Sequence, residues 1–225
     1  ATSADLALTT HNNNNTHSYA STLLFRKSGG TEGSQTVVAD GEVIGRIAAN
    51  GHDGSNLGTV GGEIRFVIED GGLGAVNTDD LPTEIQFHTA AGVSADDIAQ
   101  KMVISADGKV GIGTTTPAYL LELEGDNTTA LSLMNQSDTA IDDGDTLGTI
   151  YFGGRDEESA GTNVLGAKII AQAAGLWGTG ADDDDAPTEL QFFTQSDGGT
   201  DNLATPRMTI NDTGDVGIGT ATPGN

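Results

Sequence analysis

The run Asp107-Gly108-Lys109-Val110-Gly111-Ile112-Gly113-Thr114-Thr115-Thr116-Pro117 returns near the C-terminus as Thr213-Gly214-Asp215-Val216-Gly217-Ile218-Gly219-Thr220-Ala221-Thr222-Pro223. Its neighbours return with it. Met102-Val103-Ile104 precedes the first copy and Met208-Thr209-Ile210 the second. Further upstream, Pro82-Thr83-Glu84-Ile85-Gln86-Phe87-His88-Thr89 matches Pro187-Thr188-Glu189-Leu190-Gln191-Phe192-Phe193-Thr194, and Gly41-Glu42-Val43-Ile44-Gly45-Arg46-Ile47 matches Gly144-Asp145-Thr146-Leu147-Gly148-Thr149-Ile150. Equivalent residues lie 103 apart at Gly41 and 106 apart at Gly111, so length differences are confined to loops. A chain built this way folds as two tandem copies of one unit of about a hundred residues.

Within each copy the apolar residues alternate over short runs. Gly62-Glu63-Ile64-Arg65-Phe66-Val67-Ile68 is the clearest, and Ile85 and Phe87 share one strand face, as do Leu190 and Phe192. Asp40-Gly41 and Asp107-Gly108 are turn signals. Leu6 and Leu8 alternate as Leu121 and Leu123 do after Pro117, and Ser21 to Arg26 reads as a strand with Leu131-Ser132-Leu133 as its counterpart. The one helical signal, Ser94-Ala95-Asp96-Asp97-Ile98-Ala99-Gln100, amounts to a single turn in a variable loop. The fold class is therefore all-β, with seven or eight short strands per unit. The expected domains are 1–18, an N-terminal strand and polar linker belonging to a preceding unit; 19–117, the first β unit; and 118–225, the second.

Composition says what such units lack. Leu, Ile, Val and Phe make up about a fifth of the chain, and the net charge is −24 from 33 acidic and 9 basic residues. That is close to the ~20% apolar level below which a highly charged chain stays disordered. A chain so poor in core material is expected to borrow core from partner chains. Its polyanionic surface repels phosphate backbones and anionic lipid, so nucleic acid and membranes are not expected partners. No cysteine is present, which removes disulfides and thiolate metal sites.

In combination, Gly-x-x-x-Gly-x-Ile, Pro-Thr-Glu-Leu/Ile-Gln-Phe-x-Thr, Met-x-Ile, x-Gly-x-Val-Gly-Ile-Gly-Thr-x-x-Pro and a trailing Leu-x-Leu resemble the tandem repeats of bacteriophage tail fibre and tailspike proteins. Such repeats often precede a C-terminal self-cleaving chaperone domain. No such domain is present, so an internal piece of a longer fibre is expected. The resemblance implies an elongated, β-rich homotrimeric shaft in the virion tail, extracellular, joined to other tail or fibre proteins and supporting recognition of a host-surface glycan. Glycine inside a strand is costly unless another backbone approaches. Three chains on a threefold axis would supply that approach, with Val110, Ile112, Val216 and Ile218 as the trimer core. The alternative is a tight monomeric turn with a glycine bulge.

Catalytic signatures are missing. There is no His-Glu-x-x-His and no P-loop, and Gly111 and Gly113 lead into Thr and Pro, not a helix. The four histidines stand far apart, and the counterpart of His88 is Phe193, which points to packing or a surface position. Asp182-Asp183-Asp184-Asp185 offers oxygen ligands to Ca²⁺ but lacks the spaced ligands of an EF-hand loop. No cofactor is expected, Ca²⁺ at such acidic loops being the one candidate. Glu84 and Glu189 recur in both copies, which favours a structural role over catalysis. Trp177, unmatched in the first copy, is the candidate for glycan contact. The leading expectation is a non-enzymatic structural and adhesive tail-fibre segment. The alternatives are a polysaccharide-degrading tailspike or hyaluronidase-like module, which needs carboxylates at defined separation, and a cellular surface filament or adhesin.

Overall fold

The computed structural model describes residues 23–52, 54, 59–69, 80–91, 98–126, 128–136, 140–155, 163–178, 186–196 and 203–224. Every regular element among them is a strand. β1 (Gly29–Thr31) and β2 (Ser34–Thr36) form a small hairpin. β3 (Val43–Gly51), β4 (Thr59–Ile68), β5 (Thr83–Ala90), β6 (Ile98–Ile104), β7 (Val110–Ile112) and β8 (Leu121–Leu123) make a six-stranded sheet in chain order. β9 (Thr146–Arg155), β10 (Asn163–Ala173), β11 (Thr188–Thr194), β12 (Met208–Ile210) and β13 (Val216–Ile218) make a five-stranded sheet, also in chain order. Both sheets are antiparallel meanders, except that β8 joins β7 in parallel.

The repeat seen in the sequence is a repeat of structure. Gly41 and Gly144 both have positive φ, and each donates its N–H to the strand two places on, to Ile68 O and Ala173 O. The acid that follows closes the same turn, Glu42 accepting from Ala39 N and Asp145 from Asp142 N. Gly108 and Gly214 turn the Met-x-Ile strand back in the same conformation. Gly45 has a separate reason for being small. A Cβ there would meet the Phe25 ring at 2.8 Å, and one on Gly148 would meet Leu133 at 2.9 Å. The upstream chain thus lies over the first core strand of each unit, tied by Lys27 Nζ to Val43 O and by Asn135 Nδ2 to Thr146 O.

Three details differ from the sequence reading. Neither 23–26 nor 131–133 is a strand, because the flattening contact is a side chain on glycine rather than a backbone ladder. Ile98, Ala99 and Gln100 belong to β6, not to a helical turn, because their backbone pairs with β5; the rest of that signal lies outside the described residues. The chain divides into compact units Ala1–Ala130 and Leu131–Asn225, thirteen residues beyond the boundary expected after Pro117. The parallel pairing of β8 holds 121–123 in the first unit.

The repeated glycine motif also works differently from expectation. A Cβ on Gly111 would meet Thr114 at 2.9 Å and Val103 at 3.2 Å, and one on Gly217 would meet Thr220 at 2.7 Å and Pro223 at 3.0 Å. The Thr-x-x-Pro loop folds back over its own sheet, and glycine makes room for it. Gly113, at φ +82°, takes a position where a side chain would overlap the Glu124 carbonyl oxygen just past β8. These glycines are accounted for by contacts within the chain, so a neighbouring chain is not what requires them.

Beneath that loop lie Val103 and its counterpart Thr209, both fully buried, Thr209 with an unpartnered hydroxyl. Thr209→Val is therefore expected to raise stability by about 1 kcal/mol, by removing an unsatisfied polar group without changing shape. Gly113→Ala should cost the strain of positive φ, about 1–3 kcal/mol. To this is added displacement of the strand behind it. Gly219→Ala, with φ +76° and open space around it, should cost only the strain. Urea denaturation midpoints of the three variants check both statements.

Candidate functional site

Cross-strand register decides which side chains share a face. In the first unit Ile47, Ile64, Phe87, Met102, Ile112 and Leu123 stand opposite one another across six strands. The row beside it is Gly45, Phe66, Ile85, Ile104, Val110 and Leu121. The second unit reproduces both. One row is Ile150, Ile169, Phe192, Met208 and Ile218, and the other Gly148, Ala171, Leu190, Ile210 and Val216. Each sheet therefore carries one continuous apolar face.

That face is poorly covered. Ile112 is 44% exposed, Val216 55% and Ile218 82%, and Ile47 and Ile150 are about half exposed at the other edge. In the first unit Phe25 covers only the Gly45 corner, its ring 6.2 Å from that of Phe66. In the second unit the face ends in an open apolar groove where Phe152, Val164 and Leu165 meet Gly153 and Gly166. The four residues expected in a shared core, Val110, Ile112, Val216 and Ile218, are thus brought into line with the central strands of each sheet. The sequence showed the alternation of each strand separately. The alignment of strands into rows, and the Phe152 groove, depend on register and bulges that no single strand encodes.

The opposite face of the first sheet combines buried Val67 and Val103 with a tightly organised polar cluster. Glu63, its side chain 1% exposed, pairs with Arg65 on the same strand, and Arg46 Nη1 lies 3.2 Å from its other oxygen without hydrogen-bond alignment. Directly across from Glu63 is His88, whose Nε2 meets Gln86 Oε1 at 2.8 Å, while Gln86 also donates to Glu84. His88 Nδ1 is buried without a partner. Burial, then the nearby Arg65 charge, hold its pKa below the ordinary 6.5, with Glu63 opposing. Burial raises the Glu84 pKa. In the second unit the cross-strand pair equivalent to Glu63 and His88 is Lys168 and Phe193, with the ammonium 4.2 Å from the ring centre.

The remaining expectations fall as follows. Trp177 is half-buried. Its backbone N–H goes to Ile141 O and its indole N–H to Pro187 O at 3.1 Å, so its donor is spent on closing its own loop. The acidic run 182–185 lies outside the described residues. Among the described residues no three of His, Asp and Glu come together to hold a metal ion.

No protein-family model and no curated protein matches the chain. Solved structures similar to it include two from one fibre. One is the carboxy-terminal domain of the bacteriophage T5 L-shaped tail fibre with its intramolecular chaperone domain: 14% identity and a TM-score of 0.43, covering 96% of this chain and 64% of that one. The chain therefore spans somewhat less than two thirds of that structure. The other is the same carboxy-terminal domain of the T5 fibre, at 13% identity and a TM-score of 0.42, covering 96% of this chain and 92% of that one. Likeness at this level carries no argument about function.

The His88 geometry has a pH consequence. A depressed pKa means that the folded state binds fewer protons than the unfolded chain below about pH 6.5, so stability falls as pH drops through that value. His88→Phe, which installs the second unit's residue, should flatten the fall in thermal midpoint between about pH 7 and 5. Melting curves across that range, compared with the parent protein, test it.

Proposed function

We propose that this chain is a structural and adhesive segment of a viral tail fibre, working as a homotrimer whose chains share a core. The observation that carries the proposal is the exposed apolar face, laid out in the same rows in both units. Full burial of an Ile or Val side chain is worth about 1.5–3 kcal/mol, and one chain leaves that gain unrealised along each sheet. Two further copies, each presenting the same rows, would cover the face symmetrically. Val110, Ile112, Val216 and Ile218 would lie in the shared core. The motif-level resemblance to tail fibre repeats supplies the setting: a virion tail, outside the cell, in contact with other fibre proteins.

Function on this reading is mechanical and multivalent. A stiff β-rich segment positions weak contacts to a host-surface glycan, and three copies multiply them through effective concentration. The half-buried Trp177 ring, in a loop anchored to Ile141 and Pro187, is the candidate for one such contact. The dense negative charge keeps the remaining surface solvated and unassociated. No catalytic step belongs to this reading.

Light scattering should give a mass about three times 22.9 kDa; a folded monomer would overturn the proposal. Ile112→Asp and Ile218→Asp should abolish the trimer, since each places three unpaired charges in a shared core. On a monomer the same changes at half-exposed or exposed positions would alter stability by only about 0.5 kcal/mol. Release of oligosaccharide from host capsule or hyaluronan would replace this reading with the enzymatic one.

A further inference from the structure

On the face of the first sheet that carries Glu63 and His88, register sets two guanidiniums side by side. Arg46 on β3 stands directly opposite Arg65 on β4, with Gln86 next in the same row. Like charges at directly opposed positions destabilise a sheet. The chain has 9 basic residues against 33 acidic ones, so setting two of the few against each other calls for a reason. The fold does not supply one. In the second unit the equivalent pair is Thr149 and Ile170, followed by Gln191 in the same row.

The pair is only half neutralised. Among the described residues its one carboxylate is the buried Glu63, whose Oε1 meets both Nε and Nη2 of Arg65. Arg46 Nη1 is 3.2 Å from Glu63 Oε2, yet that oxygen has no hydrogen-bond partner. Arg46, its side chain 53% exposed, is thus held near Glu63 by charge and makes no side-chain hydrogen bond among the described residues. Glu84 does not close the balance, since the charges acting on it are those of Glu69 and Asp40. Lys27 is taken up by Glu42 at 3.4 Å. Two guanidiniums against one carboxylate leave a local positive excess in a chain of net charge −24.

A cleft of about 490 Å³ opens beside the two guanidiniums, its other walls being Val43, Ile44 and Gly45. Clefts of roughly 300–1,000 Å³ accommodate small molecules. Ile44 is the extra residue of a bulge, between Val43 opposite Val67 and Gly45 opposite Phe66. Such a bulge bends its strand and re-aims the side chains beside it. Leu147 is the extra residue at the same place in the second unit. The bulge is therefore shared, and the guanidiniums are peculiar to the first unit.

We propose that the Arg46 and Arg65 cleft binds the carboxylate of an acidic sugar, a uronate. Arg46 donates two parallel N–H bonds to the carboxylate, a geometry that a guanidinium offers and an ammonium does not. Arg65 adds a donor beyond the two it gives Glu63, since a guanidinium has five. Val43, Ile44 and the Gly45 backbone are left for the body of the ligand. That this body is a sugar rests on the adhesive reading above; the preference for a carboxylate does not. The surrounding negative surface repels dense polyanions, so the cleft admits an isolated carboxylate and rejects nucleic acid or polyphosphate. It lies on the face turned away from the apolar rows, so a shared core leaves it free.

The test is a titration of the full ¹⁵N-labelled chain with glucuronate, read from the arginine Nε–H signals by NMR. Glucose, inorganic sulfate and inorganic phosphate are titrated in parallel. Glucuronate should shift the Arg46 and Arg65 signals saturably, glucose should not, and sulfate and phosphate should bind several-fold more weakly than glucuronate. Arg46→Thr installs the second unit's residue and keeps the Glu63 and Arg65 pair. It should weaken glucuronate binding about ten-fold, with a melting temperature close to the parent's, and Arg46→Lys should recover only part of the loss. The proposal is overturned by the absence of a saturable glucuronate shift, by sulfate or phosphate binding as tightly as glucuronate, or by undiminished affinity in Arg46→Thr. Loss of the oligomer in Arg46→Thr without glucuronate binding by the parent also overturns it, because a carboxylate of a second copy would then fill the fork. A trimer that ignores glucuronate leaves the shared-core reading standing, and a monomer that binds it leaves only this one.

Discussion

Cross-strand register is the constraint on which everything else in this protein rests. Each strand is short and contributes two or three apolar side chains. Pairing in register turns those contributions into continuous rows, such as Ile150, Ile169, Phe192, Met208 and Ile218. A slip of one residue would scatter the same side chains to both faces. At the bulges between Phe87 and His88 and between Leu165 and Ala167 one strand takes up an extra residue, Lys101 or Gly166, and pairing resumes beyond it. The consequence is a sheet with one face that prefers not to meet water, in a chain with too few large side chains to cover it. The shared core proposed above rests on that imbalance more directly than on any individual motif.

The glycine motif illustrates how a local signal can be right in importance and different in cause. Its glycines suggest a place where other chains come close. In the fold they are used at home. Gly111 and Gly217 yield to the Thr-x-x-Pro loop, and Gly113 yields to the strand that follows it. The motif is a joint that folds its own tail over Val103 or Thr209. The residues between its glycines, Ile112 and Ile218, remain the ones facing outward on the apolar side.

The second face of the sheets tolerates more variety than the first. At one cross-strand position the first unit places Glu63 against His88, supported by Arg46, Arg65 and Gln86, and the second places Lys168 against Phe193. The first buries a carboxylate beside a guanidinium, as a buried charge requires; the second sets a part-exposed ammonium over an aromatic ring. They differ in pH response, because only the first contains a group whose ordinary pKa lies near neutrality. The apolar rows, by contrast, are repeated with few changes, the largest being Ala171 in place of Phe66. On the proposed reading, a face that meets copies of itself has less freedom than one that need only satisfy its own charges.

Much of this was readable from residues in order. The repeat, the all-β class, the turns at Gly41 and Gly108 and the alternation of Ile64, Phe66, Ile85 and Phe87 are local properties, set by backbone preference and period-two patterning. What could not be read was anything that depends on residues distant in the chain. The seating of Phe25 on Gly45, the parallel docking of Leu121–Leu123 and the burial of Glu63 opposite His88 each join segments that no short window contains. Local sequence sets which face of a strand is apolar. Register and closure between strands set how those faces join into rows across a sheet.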